Sequence, residues 1–241
     1  MTLSAQAFAR AASAEAGQLR MLKLQGMSHR ELQTLLGGDP VVAAPWVQCA
    51  AEQGVAAGQL RLGRMLLEGC GLARDQALAL RWFNCAATQG DADAMNMAGR
   101  CHENGWGVPA DLDAAAHWYR SSACRGHDWG QYNFGNMLFD GRGVTADLAQ
   151  AVLWYRRAAS QNHSRAMNLL GRCREEGWGC QKDLDKAFEW YRRSALAGYF
   201  RGQINYAASL AERGRMSEAR QWSRQASRGV AAIAPTHRPM R

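Results

Sequence analysis

WFNCAATQGDADAMNMAGRCHENGWGVPADLDAAAH, residues 82–117, decides the fold, because the chain repeats its pattern in both directions without a change of length. Tryptophan returns at Trp46, Trp82, Trp118, Trp154 and Trp190, each time after 36 residues. A fixed interval carried by the same residue types in the same order marks stacked units, each of which buries its apolar face only against its neighbours. The 241 residues, 47% hydrophobic, therefore read as about five 36-residue units with caps rather than as one or two rounded cores.

Each unit divides into two helices. The first spans 58–69, 94–105, 130–141, 166–177 or 202–213 and carries a glycine (63, 99, 135, 171), or Ala207, at one register. A glycine inside a helix costs about 1 kcal/mol against alanine, so its return at that register predicts close approach of another helix. Gly69, Gly105, Gly141 and Gly177 are placed to end these helices in the left-handed conformation, and a second glycine follows at 71, 107, 143 or 179. Asp39, Asp75, Asp111, Asp147 and Asp183 stand seven residues before their tryptophans, where a carboxylate can cap the second helix for roughly 1 kcal/mol. Pro45 is expected to kink the earliest of these helices or delay its start. Ala79, Ala115, Ala151 and Ala187 precede the tryptophans by three residues and offer a small face. The tryptophans themselves are read as core, each worth on the order of 4–6 kcal/mol as an upper bound if fully buried.

The ends differ from the middle. Residues 1–38 read as an amino-terminal helical cap, with a capping box at Ser28–Glu31 and a stop at Gly37 and Gly38. The repeats occupy 39–228, and 229–241 is expected to be a disordered basic tail. Of the net charge of +8, residues 201–241 supply eight arginines against Glu212 and Glu218. No stretch matches a membrane span or an export signal, and the seven cysteines form no CxxC pair. These features point to a cytoplasmic protein whose thiols serve mostly as small buried apolar groups.

GQYNFGNMLFDGRGVTADLAQAVLWYRRAA (130–159) and KDLDKAFEWYRRSALAG (182–198) resemble the Sel1-like repeats of bacterial type, relatives of the tetratricopeptide repeats. The resemblance covers residues 39 to about 228. It implies an all-α fold, a right-handed α-solenoid of stacked antiparallel helix pairs, and a groove lined by the first helices in which a partner protein or peptide lies. The last copy departs from the pattern: ERGRMSEARQW (212–222) has no GxG loop and places Trp222 only 32 residues after Trp190. The cysteines eight apart that staple secreted members are missing here.

No nucleophile, base and orienting group can be assembled from the sequence, so an enzyme is not expected, nor any cofactor. Cys101, His102 and Glu103 form the one local cluster of ligand-type residues, but adjacent helical positions point in different directions. Aligning the units on their glycine instead places Leu60, Asn96, Tyr132, Asn168 and Ile204 in one row of the groove, and Arg64, Arg100, Asn136 and Arg172 in the next. Glu103, Phe139 and Glu175 belong to a third row. A partner segment with acidic and apolar side chains is expected to place carboxylates on Arg64, Arg100 and Arg172, and an apolar side chain on Trp129, Tyr132 and Phe139. Alternatively the arginines pair with Glu68, Glu103 and Glu175 as a solvated ladder. Trp106 and Trp178 in the GxG turns are either contacts along the loop edge or, the favoured reading, packing. Nucleic-acid binding through the basic carboxyl end is the second function considered, a metal-dependent role the third. A monomer is the expected state.

Overall fold

The computed structural model describes residues 26–28, 30–31 and 38–233. Among the described residues there are eleven helices and no strand. The first compact unit, residues 1–118, holds α1 (Pro40–Glu52), α2 (Ala56–Glu68), α3 (Gln76–Thr88) and α4 (Ala92–Asn104). Helix α5 (Leu112–Cys124) carries the chain into the second unit, residues 119–241. That unit contains α6 (Asp128–Asp140), α7 (Leu148–Ser160), α8 (Ser164–Glu176), α9 (Leu184–Leu196), α10 (Phe200–Glu212) and α11 (Met216–Ile233). Within each unit, helices adjacent in sequence pack on one another, and α8 also meets α10. This is the stacking of an all-α solenoid. The first helices of the pairs begin two residues earlier than the sequence pattern places them.

The caps form as the spacing requires. Asp75, Asp111, Asp147 and Asp183 each accept from the backbone N–H three residues on, at 2.9 Å, and Asp39 accepts from Val41 at 2.8 Å. Pro45 lies inside α1, which starts at Pro40, so it does not delay the helix. Ser28 and Glu31 exchange the two bonds of a capping box, while Gly37 and most of the 1–38 cap lie outside the described residues. At the other end α11 runs on to Ile233, five residues past the boundary drawn at 228; residues 234–241 lie outside the described residues.

The repeated tryptophans are not the buried aromatics. Trp46, Trp82, Trp118, Trp154 and Trp190 are half-buried, whereas the next residue in each helix, Val47, Phe83, Tyr119, Tyr155 or Tyr191, is at most 1% exposed. The alanine three before the tryptophan is four before this residue, so Ala79 and Phe83, with Ala86 and Ala87, form one buried stripe. The register glycine of the first helix receives that ring. A Cβ on Gly63 would stand 2.5 Å from Phe83 Cε1, and one on Gly135 would stand 2.6 Å from Tyr155 Cε1. Gly171 meets Tyr191 in the same way.

The two turn glycines answer different needs. Gly69, Gly105, Gly141 and Gly177 take positive φ as helix caps. Gly71, Gly107 and Gly179 also have positive φ, but they lie so close to the first peptide of the preceding second helix, at Pro40, Gln76 and Leu148, that a side chain would collide with backbone. These three loops thus dock on the start of the previous repeat's second helix. Where the loop is missing, between α10 and α11, the Arg213 side chain takes its place, donating to the Leu184 carbonyl at 3.3 Å and to Asp185 at 2.7 Å.

Candidate functional site

In the first unit the expected groove residues are largely occupied by neighbouring side chains. Arg64 pairs with Asp93, in the first turn of α4, at 2.5 Å, rather than with Glu68. Arg100 lies 5.2 Å from the Trp106 ring centroid and donates to Met97 Sδ at 3.6 Å. Asn96 is 5% exposed, and both it and Glu103 have partners. Trp106 folds back against the core of this unit. Cys101 is fully buried, and burial pushes its thiol up to about 11. Among the described residues no three His, Cys, Asp or Glu side chains converge as a metal site would require.

The second unit is arranged differently. Trp129 stands edge-on to His163, with ring centroids 4.6 Å apart, and Tyr132 stacks on the same imidazole at 4.8 Å. His163 is held there because its Nδ1 accepts from the Ala166 N–H and caps α8. Burial holds its pKa below the ordinary histidine value, against the pull of the Asp128 carboxylate. Phe139 does not complete this cluster; it packs edge-on against Trp178 at 5.3 Å. Asn136 accepts from the Tyr155 hydroxyl at 2.9 Å and Glu175 from the Tyr191 hydroxyl at 2.6 Å, so both brace the buried tyrosines. Asn168 accepts from Asn205 at 2.8 Å, tying α8 to α10.

Between α8 and α10 lies a cleft of about 240 Å³. Its walls are Arg165, Arg172 and Arg201, with Tyr132, Tyr199 and Ile204, and the Asn168–Asn205 pair also lines it. Each guanidinium lies near an aromatic face: Arg165 5.0 Å from Trp129 and 5.9 Å from Tyr199, Arg172 5.0 Å from Trp178, Arg201 5.7 Å from Phe200. Among the described residues none of the three is ion-paired with a carboxylate. Contact through the face leaves the in-plane N–H edges of a guanidinium open to an acceptor. Arg172, Tyr132 and Asn168 were legible from the repeat alignment. Arg165, Arg201 and Tyr199 were not, because they sit at the helix starts rather than in the aligned rows; a cation in the first turn of two helices is the signal that could have found them.

Charge separates the two units in the same sense. Residues 119–241 carry twenty Lys and Arg against ten Asp and Glu, while residues 1–118 carry nine against eleven. The basic character therefore extends well beyond the carboxyl end. Three of the seven cysteines, Cys49, Cys101 and Cys173, are buried and Cys70, Cys85 and Cys124 are exposed, so burial is not their common role; none of the seven forms a disulfide. No helix among the described residues is long and apolar enough to cross a membrane.

These features define an all-helical repeat protein with an arginine-lined cleft. The Sel1 repeat model matches residues 56–91, 92–127, 130–163 and 164–199, more than half the chain, and the protein belongs to the Sel1 repeat family. Four units are matched where the tryptophan interval predicts about five; α1 and the pair α10–α11 lie outside the matched segments. Repeats of this family generally mediate protein–protein interactions and are typically non-catalytic. Among solved structures, a Sel1 repeat protein from Oxalobacter formigenes is 28% identical, with a TM-score of 0.71 over 77% of this chain and 76% of its own. A protective antigen present in uropathogenic Escherichia coli strains, displaying an SLR fold, is also 28% identical, with a TM-score of 0.72 over 82% of this chain. The match spans 44% of that antigen. An immunity protein from Pseudomonas aeruginosa, at 17% identity and a TM-score of 0.52, shares the fold. No curated protein matches the chain.

Proposed function

We propose that this protein is a non-catalytic, cytoplasmic interaction scaffold whose second unit captures an acidic, partly apolar segment of a partner protein. The observation that carries this is the set of three guanidiniums, Arg165, Arg172 and Arg201, around one cleft, none ion-paired with a carboxylate among the described residues. Each is pre-positioned by an aromatic ring, so less side-chain freedom is lost on binding. Charge-assisted hydrogen bonds contribute roughly 1.5–3 kcal/mol each, and three of them with an apolar contact at Ile204 support micromolar affinity after the costs of association. Relative to the expectation from sequence, the anion-binding residues move from Arg64 and Arg100 to Arg165 and Arg201, because Arg64 is already neutralised by Asp93.

Selection from a randomised peptide library on the immobilised protein tests this. Enrichment of aspartate and glutamate, lost when Arg165→Ala and Arg201→Ala are combined but kept in Arg64→Ala, is the expected result. Peptides with no acidic bias, or equal capture by the double variant at low salt, would overturn it.

A further inference from the structure

The cleft can be specified further, on the basis of the reading just given. We infer that its ligand is a phosphate monoester rather than a carboxylate. A carboxylate brings one charge and two acceptor oxygens, enough for one guanidinium fork. A phosphate monoester carries about −1.5 to −2 charges and three strong acceptor oxygens. Three guanidiniums, one of them (Arg201) hydrogen-bonded to the Tyr199 hydroxyl and none ion-paired with a carboxylate among the described residues, match the second group. A cleft of about 240 Å³ has room for one tetrahedral headgroup and the first atoms of its carrier.

The helix ends supply an independent argument. Arg165 and Arg201 each stand second in their helices, α8 and α10, and neither helix has an acidic residue in its first turn. A cation there opposes the helix dipole, so both helices carry a local cost that a bound dianion reverses. The Tyr199 side chain makes no capping bond to α10, so no side-chain acceptor serves the free N–H groups of that first turn. In α4, by contrast, the corresponding cap is Asp91 and Asp93 follows in the first turn, a pattern that repels an anion. The phosphate preference therefore belongs to α8 and α10. A phosphorylated side chain of a partner and a small phosphorylated metabolite share this chemistry.

Titration calorimetry on the full chain separates the outcomes. The probes are two capped host peptides, identical except for one phosphoserine or one glutamate, and free O-phosphoserine. The phosphopeptide is expected to bind at least tenfold more tightly than the glutamate peptide. Arg201→Gln should remove most of this preference, and Arg165→Lys, which keeps the charge but not the fork, should reduce it severalfold while circular dichroism stays unchanged. Free O-phosphoserine binding as tightly as the phosphopeptide supports the site and assigns it to a small molecule. Equal affinity for the two peptides refutes the phosphate inference and leaves the acidic-segment reading standing. Binding of none of the probes refutes both.

Discussion

Gly135→Ala places a methyl group where the second unit has no room for one. The added Cβ would stand 2.6, 2.8 and 3.3 Å from Tyr155 Cε1, Cδ1 and Cζ, against an optimum of about 3.5–4.0 Å between carbons. Tyr155 cannot withdraw freely, because it is 1% exposed and its hydroxyl donates to Asn136 at 2.9 Å. Overpacking of this kind costs typically 1–3 kcal/mol, offset by about 1 kcal/mol of improved helix propensity. The expected net loss is roughly 0–2 kcal/mol, or a melting midpoint lower by up to about 8 °C. Chemical and thermal denaturation followed by far-ultraviolet circular dichroism measures it. Combining Gly135→Ala with Tyr155→Leu should recover part of the loss, since the two residues are in contact and their effects are not additive. Stabilisation by Gly135→Ala, as propensity alone would give, refutes the account of ring against glycine.

Three further outcomes follow from the same geometry. Asp147→Ala should cost about 1 kcal/mol by removing the bond to the Gln150 N–H, whereas Asp147→Asn should keep most of that stability in the same denaturation assay. His163 has its folded pKa depressed by burial, so the unfolded chain binds the proton more readily; its contribution is full above about pH 6.5 and is lost as pH falls from there through the folded value. Denaturation midpoints measured from pH 7.5 to 5 should therefore decline, with a shallower slope for His163→Asn, which retains a capping oxygen; parallel slopes would contradict this. In the native protein a thiol reagent should modify Cys70, Cys85 and Cys124 first, while Cys49, Cys101 and Cys173 wait for denaturant, as burial lifts the Cys173 thiol to about 12; peptide mass spectrometry gives the order.

The architecture was legible because its signals are local and periodic. Aspartate caps, glycine stops and helix lengths depend on a few consecutive residues, and repetition averages away the ambiguity of any one copy. The core aromatic was misplaced by one residue for a physical reason. Recurrence marks both Trp82 and Phe83, and it is the 100° turn between adjacent helical positions that decides which is enclosed; Ala79, four residues before Phe83, already pointed to the right face. The site was read less well. Row alignment finds residues at equivalent depth in successive units, and it singled out Tyr132, Asn168 and Arg172, which line the proposed cleft. It could not show that Asp93 neutralises Arg64 from the next repeat, or that Arg165 and Arg201 reach the same cleft from two helix starts.

The Arg213 side chain, set where the loops of Gly71, Gly107 and Gly179 dock in their own units, bears on how such an array changes in evolution. A loop that meets its neighbour backbone to backbone fixes the spacing between units, so copies can be gained or lost only in whole multiples of the repeat. Arg213 holds its docking position on the start of α9 with a side chain instead, so the spacing of the pair α10–α11 is set by a guanidinium and two acceptors rather than by backbone contact.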